Sequence, residues 1–322
     1  MIGRLDILLD DASHACQQTL NSSETLFPLP RPGGCTLLIE DRAWGRQSMD
    51  LERRIESSGR FGASFRIVTE LQAGQLGPDS SAEGFVAGTV DPFRYDGQSN
   101  DPDEVVGVVS ALIPRSARVL DVGCGTGSVS VHVMRNCDAT LVGVEPDVSR
   151  AALARSRGID VRGDFLTADL IRQLGSFDIV LFADVLEHLP QPLQLLNLAK
   201  TALGPNGRII ASVPNIAHWS VRAELLRGRF VYREWGIMDA THLRWFTDAN
   251  LQRLFEAAGL TIEARRVTAG VDLQCYSELL PWRWMRRARR ASLIRRAMNW
   301  WPTLFGCQFV VRSAPIIVAA QP

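Results

Sequence analysis

The sequence is nearly without lysine: Lys200 stands alone among 35 basic residues, and all the others are arginine. So uniform a choice reflects composition more than selection at individual sites, and it removes the lysine that a phosphate-cradling Gly-Lys-Ser/Thr loop requires. The six cysteines, at 16, 35, 124, 137, 275 and 307, form no C-x-x-C pair and have no histidine at zinc-finger spacing. That excludes a small zinc module and suits free thiols in a reducing compartment. Net charge is also missing, 35 acidic residues balancing the basic ones, so there is no global pull toward nucleic acid or an anionic membrane. No apolar window reaches the ~18 residues of a spanning helix. The amino terminus "MIGRLDILLD" carries Arg4 and Asp6 and lacks a small-residue cleavage site. A cytoplasmic protein with no nucleic-acid partner is the expectation.

At 322 residues, 46% hydrophobic and 22% charged, the chain is long enough for one large core plus an accessory region. From residue 117 onward short apolar runs ("ARVLD", "LVGVE", "IDVRG", "FDIVLFA", "GRIIASV") alternate with helical stretches such as "VSRAALARSRG" and "LQLLNLAKTALG". Alternation of this kind predicts an α/β fold with a mostly parallel sheet covered on both faces, and a ligand crevice at the carboxyl ends of the strands. "TDANLQRLFEAAGL" predicts a helix that begins after Thr247 or Asp248 and stops at Gly259, followed by "TIEARRVT" and a last strand in "CQFVVRSAPIIVAA". The spacing divides the chain into an accessory α/β region, 1–92, and a main domain, 93–322, with insertions near 215–246 and 270–305. In the first part "LDILL", "CTLLIE" and "FRIVT" predict three strands with helices between them.

The most informative stretch is "VLDVGCGTG", Val119 to Gly127. Glycines at 123, 125 and 127 let the backbone take positive φ and approach a ligand closely, and the helix that follows presents unpaired N–H groups. A dinucleotide turn reads G-x-G-x-x-G, whereas here the spacing is G-x-G-x-G, led by Asp121. A carboxylate at that point repels a pyrophosphate and attracts an ammonium. The next strand ends at Glu145, where a carboxylate can accept both hydroxyls of a ribose. An ammonium and a ribose occur together in S-adenosylmethionine.

Four motifs in order, "VLDVGCGTG", "LVGVEPD", "FDIVLFADVLEHLPQP" and "LGPNGRIIASVPN", make the chain resemble the class I S-adenosylmethionine-dependent methyltransferases over roughly residues 95 to 318. The resemblance is to the small-molecule, ubiquinone-type and glycan-associated branch. It implies a doubly wound, seven-stranded, Rossmann-like sheet whose last strand inserts antiparallel. It also implies S-adenosylmethionine as cofactor, with Asp121, Gly123, Cys124, Gly125 and Gly127 at the methionine end and Glu145 and Pro146 at the ribose. Asp164 and Phe165 fall at the adenine, and Ala183 at the end of the fourth strand. The expected activity is methyl transfer to a hydroxyl of a small molecule or a lipid-linked glycan. The alternative is a non-catalytic cofactor-binding module of a glycan-biosynthesis assembly. The first 92 residues resemble the start of a family 2 glycosyltransferase, but the one D-x-D, Asp101-Pro102-Asp103, lies in a polar linker, so a structural or assembly role is expected there.

"ADVLEH" places Asp184, Glu187 and His188 at i, i+3 and i+4, on one face if a helical turn begins at Asp184. His188 could then take a proton from an acceptor hydroxyl, oriented by Glu187 or Asp184. Alternatively the three could ligate a divalent cation, since the stretch resembles the metal-binding E-x-x-E-H of ubiquinone-biosynthesis O-methyltransferases, with Asp184 in place of a glutamate. In "DATHLRWFT", His242, Arg244 and Trp245 are candidate acceptor contacts. Seven of the eight tryptophans follow residue 218, which concentrates flat apolar surface on that side. Finally, "PWRWMRRARRASLIRRAMNWWP", 281–302, carries seven arginines and no acid. Trp284, Ala288, Ala291, Ile294, Met298 and Trp301 recur at helical steps, so an amphipathic helix that lies on an anionic membrane is one expectation, and a helix packed over the acceptor pocket the other.

Overall fold

The computed structural model describes residues 7–10, 36–39, 93, 95–233, 235–278 and 282–316. The chain divides into two compact units, Met1–Thr89 and Val90–Pro322. In the first, β1 (Ile7–Asp10) and β2 (Thr36–Ile39) pair in parallel with Ile7 opposite Thr36. The strand expected near 65–69 and the helices expected before residue 60 lie outside the described residues.

The second unit is built on seven strands: β3 (Arg118–Val122), β4 (Thr140–Val144), β5 (Asp160–Arg162), β6 (Phe177–Ala183), β7 (Leu203–Pro214), β8 (Leu260–Val267) and β9 (Gln308–Pro315). Their order across the sheet is β5-β4-β3-β6-β7-β9-β8. The first five are parallel, and β9 inserts antiparallel between β7 and β8. The central strands are apolar along most of their length because alternate side chains serve opposite cores. Leu120, Val180, Phe182, Ile209 and Val311 point into one cluster. Their neighbours Val119, Ile179, Leu181, Ile210 and Val310 point into the other.

Helices cover both faces. On one side lie α1 (Val105–Ser110), α2 (Ser128–Cys137) and α3 (Val148–Ser156), whose Val109, Val133, Ala151 and Ala154 are fully buried. On the other lie α4 (Ala168–Leu174), α5 (Pro192–Lys200) and α7 (Asp248–Ala257), with α6 (Trp219–Leu226) in the segment between β7 and α7. As expected, α7 begins after Thr247, whose hydroxyl accepts the Asn250 N–H in a capping box. The sole lysine closes the same helix: Lys200 Nζ donates to the Ala258 carbonyl, a cation at a helix carboxyl end.

The carboxyl-terminal insertion contains α8 (Gln274–Glu278), α9 (Arg287–Trp300) and α10 (Pro302–Phe305). Here the expected apolar stripe is corrected. Only Ala291, Ile294 and Met298 are buried, against Ala269, Val271 and Tyr276. Trp284 and Trp301, assigned to the same face from sequence, are 80% and 62% exposed. Several arginines are structural: Arg287 and Arg290 pair with Asp272, and Arg295 pairs with Asp101 and Asp103. The D-x-D of the linker is therefore an arginine-binding element. No helix among the described residues is long and apolar enough to cross a membrane.

Candidate active site

The carboxyl ends of β3, β4 and β6 converge on the glycine turn. Gly123, Gly125 and Gly127 all have positive φ, but for different reasons. A Cβ on Gly123 would lie 2.9 Å from Val185 Cγ2, and one on Gly127 would overlap Ile159 Cδ1, so these two are fixed by packing. A Cβ on Gly125 would meet nothing within 4 Å. That position faces open space beside the turn. Cys124 is tucked beneath the turn with its thiol against Gly143, and burial pushes the thiol well above its ordinary range, so it is a packing residue there and no nucleophile.

Asp121 is completely buried. Its Oδ2 accepts a 2.5 Å hydrogen bond from Ser130 Oγ, while its Oδ1 has no partner. An orphaned carboxylate oxygen is costly unless a donor reaches it, and the ammonium of S-adenosylmethionine is such a donor. Glu145 is 4% exposed; one oxygen accepts the Gly125 N–H at 2.9 Å and the other the Asp147 N–H at 2.9 Å. Each keeps a lone pair for a ribose hydroxyl. Pro146, Asp164 and Phe165 are exposed at the rim, Phe165 with 69% of its surface open. The Asp164 carboxylate accepts the Phe165 N–H, and Ala183 is half-buried at the end of β6. The donor set thus fits the cofactor at its methionine and ribose ends.

Burial, chiefly, and the nearby Glu145 carboxylate push the Asp121 carboxyl up to about 6. The ammonium needs the ionised form, so below that value one proton must leave before the cofactor can bind. We expect Kd for S-adenosylmethionine to rise as pH falls through about 6, by up to about tenfold per unit, and Asp121→Asn to flatten the dependence. Calorimetric titrations at a series of pH values check this. A flat wild-type profile would show that Asp121 does not meet the ammonium.

Beyond β6 the structure departs from the sequence reading. No helical turn begins at Asp184, which adopts a left-handed φ of 56°. The following turn is a short 3-10 helix, Leu186–His188. The Asp184 carboxylate is turned away, its Oδ1 accepting from Ser212 Oγ at 2.7 Å and Gln308 Nε2 at 2.9 Å, so Asp184 does not share a face with Glu187 and His188. His242 takes its place. One side-chain ligand atom from each of Glu187, His188 and His242 lies within 4.8 Å of the others, and the two imidazole rings meet edge to face at 4.9 Å.

Glu187 is 1% exposed, neither of its carboxylate oxygens has a hydrogen-bond partner, and burial holds its carboxyl well above the usual range. A buried carboxylate so placed is stabilised by a proton or by a cation. The segment that brings in His242 is anchored to the same turn, since Leu243 N and Arg244 N both donate to the Glu187 carbonyl. The Arg244 guanidinium holds the Pro190 carbonyl, so it braces the loop. Trp245 packs with Phe230 and Tyr232, ring centroids 5.6 and 6.1 Å away, in a partly exposed aromatic cluster.

Three residues that carry this site went unread in the sequence: Tyr95, Asp239 and Thr241. Tyr95 Oη donates to Asp239 across 144 positions of chain, and Thr241 joins Asp239 to His188. Asp239 and Thr241 are two residues apart in "DATHLRWFT", but only the three-dimensional fold brings Tyr95 and His188 to them. The polar linker around residue 95 packs against the domain, with Asp96 held by Arg157 and by Thr126 of the glycine turn.

With this geometry in view, known proteins place the chain. A family model described as a methyltransferase domain matches residues 98–265. A ubiquinone biosynthesis O-methyltransferase of Xanthomonas axonopodis pv. citri is 28% identical over 190 residues, covering 58% of this chain and 75% of that protein. One of Xanthomonas oryzae pv. oryzae is 32% identical over 165 residues, covering 47% and 68%. A solved S-adenosylmethionine-dependent methyltransferase from Archaeoglobus fulgidus aligns with 66% of this chain and 96% of its own, at 17% identity and a TM-score of 0.41. An acid-led glycine turn, a seven-stranded sheet with an antiparallel insert, and a family model spanning more than half of the chain lead to one assignment: the chain belongs to the class I S-adenosylmethionine-dependent methyltransferases.

Proposed function

We propose that this methyltransferase acts on a hydroxyl oxygen of a small molecule or a lipid-linked glycan. The observation that carries the reading is the juxtaposition of Glu187, His188 and His242 beside the end of β6, next to the cofactor turn. The O-methyltransferase names of the two Xanthomonas relatives agree with an oxygen acceptor. S-adenosylmethionine, when bound, would supply an activated methyl on a sulfonium: an acceptor oxygen aligned behind the methyl displaces it in line, the C–S bond breaking as the C–O bond forms, with a neutral thioether as the leaving group. What the protein must add is alignment, which can supply a large share of the rate, and a place for the hydroxyl proton.

His188 Nδ1 faces the Thr241 carbonyl at 3.2 Å, so it carries the ring hydrogen, and Nε2 has the lone pair that takes the acceptor's proton. The same three residues fit a divalent cation, two imidazole nitrogens and a carboxylate oxygen being a familiar set for such ions. A cation held there would polarise the acceptor hydroxyl. Phe230, Tyr232 and Trp245 offer the flat surface for the body of the acceptor. In this reading residues 1–92 are an accessory region and 93–322 the catalytic domain. To test the acceptor reading, the protein is incubated with methyl-labelled S-adenosylmethionine and a cell-envelope extract, and products are identified by mass spectrometry. A labelled methyl on oxygen is expected. One on nitrogen or carbon would overturn the reading.

The carboxyl-terminal insertion supports work at the inner face of a membrane, near a lipid-linked acceptor. Trp284, Trp300 and Trp301 are 80%, 80% and 62% exposed, beside exposed Arg283, Arg286, Arg289 and Arg296. Tryptophan with arginine is the composition that favours an anionic interface. Co-sedimentation with liposomes should rise with anionic lipid and fall with salt. Replacing those four arginines by glutamine should abolish it, because the structural Arg287, Arg290 and Arg295 are left in place. Equal recovery with neutral and anionic vesicles would refute membrane docking.

A further inference from the structure

Residues 95 and 96 are neighbours in sequence but hold two different parts of the site. The Asp96 carboxylate accepts from Thr126 Oγ1 at 2.7 Å and from both terminal nitrogens of Arg157, at 2.6 and 2.7 Å. Arg157 also donates to the Thr126 carbonyl at 3.0 Å, so Asp96 is fastened to the cofactor turn. Tyr95 points the other way. Its hydroxyl donates to Asp239 Oδ2 and accepts the Gly236 N–H at 3.2 Å, which fastens it to the loop that carries His242.

From Asp239 the connection reaches His188. Asp239 is 1% exposed, and its Oδ1 accepts both the N–H and the O–H of Thr241, at 2.8 and 2.7 Å. A hydroxyl has one proton. With that proton given to Asp239, Thr241 Oγ1 turns a lone pair to His188 Nδ1 at 3.3 Å, alongside the Thr241 carbonyl at 3.2 Å. Both oxygens can only accept there, so together they require hydrogen on Nδ1, which in the neutral ring leaves the lone pair on Nε2. The carboxylate of Asp239 thus sets the direction of the Thr241 hydroxyl, and Tyr95 holds the carboxylate.

We infer that Tyr95, Asp239 and Thr241 are positioning residues that fix the tautomer and orientation of His188, and that the Tyr95–Asp96 pair registers this relay against the cofactor turn. None of the three need touch the methyl donor or the acceptor. Removing one hydroxyl from the relay should therefore degrade turnover while leaving cofactor affinity in place. A purely structural role would lower melting temperature and cofactor affinity together. The inference rests on the reading of His188 as a working residue, but its first test needs no acceptor.

That test is long-range imidazole nitrogen NMR on histidine-labelled full-length protein over a series of pH values, read on the neutral-ring signals, with the His188 signals identified by their loss in His188→Gln. Wild type should show one Nδ1–H tautomer at His188. In Tyr95→Phe and Thr241→Val the signals should shift or broaden toward a tautomer mixture, and Thr241→Ser should restore the wild-type pattern. In the extract assay, Tyr95→Phe and Thr241→Val should lower maximal turnover by about tenfold or more, with half-saturation for S-adenosylmethionine within about twofold of wild type. Signals identical in wild type, Tyr95→Phe and Thr241→Val, or an Nε2–H tautomer in wild type, would overturn the inference. If wild type methylates no oxygen at all, the acceptor reading fails, and the nitrogen signals still decide this one.

Discussion

Gly125→Val should abolish measurable S-adenosylmethionine binding in a protein that remains folded. Gly125 sits at φ +55°, where a β-branched residue pays about 1–2 kcal/mol for the backbone alone. Its N–H also donates to Glu145, so a distorted turn loosens the carboxylate meant for the ribose. Beyond its chain neighbours no atom lies within 4 Å of the added Cβ, so the side chain enters the open space where the cofactor is proposed to lie without disturbing a core. Loss of close backbone approach together with the turn strain should raise Kd by a hundredfold or more, roughly 2.7 kcal/mol. Gly127→Ala is the contrasting case. Its Cβ collides with Ile159 and lies 3.1 Å from the Ala154 Cβ, both in the core, so the main expectation is a lowered melting temperature. Calorimetry and thermal unfolding on both variants separate the two. Unchanged affinity in folded Gly125→Val would show that the turn does not hold the cofactor.

That contrast shows what was legible in the sequence and what was not. The glycine spacing and the acid before it report a backbone requirement, which is local, so the turn and its neighbouring strands could be read directly. The roles of the individual glycines could not, because Ile159 and Val185 reach them only through the fold. Asp184 was misplaced for a related reason. Spacing of i, i+3 and i+4 puts groups on one face only if a helix forms, and a left-handed residue followed by a 3-10 turn breaks that premise. Ser212 and Gln308, the partners that claim the Asp184 carboxylate, come from two other strands. The basic insertion failed differently: its apolar period was real, but only three positions found a core to pack against. Tyr95 left no trace, since one tyrosine in a polar linker has no periodicity to betray it.

The second large effect is expected at His188. His188→Ala should lower turnover by roughly a hundredfold or more, the ordinary range for a lost general acid–base group, and should change Kd for S-adenosylmethionine by less than about twofold. The split follows from placement. His188 lies with Glu187 and His242 beyond the end of β6, and its ring bonds to Thr241 on the segment that carries His242. Asp121, Gly125 and Glu145, at the glycine turn proposed to hold the cofactor, bond elsewhere. Single-turnover transfer from labelled cofactor gives the rate, and calorimetry gives the affinity. Chelation then tells the two chemistries of the cluster apart. If EDTA leaves transfer intact while His188→Ala stops it, the imidazole acts as the base and no cation is needed. If EDTA stops transfer and Zn2+ or Mn2+ restores it, a cation takes over the polarising role, and Glu187→Gln and His242→Gln should each prevent the restoration. If His188→Ala turns over at the wild-type rate, the cluster is structural, and the proton must leave through another group.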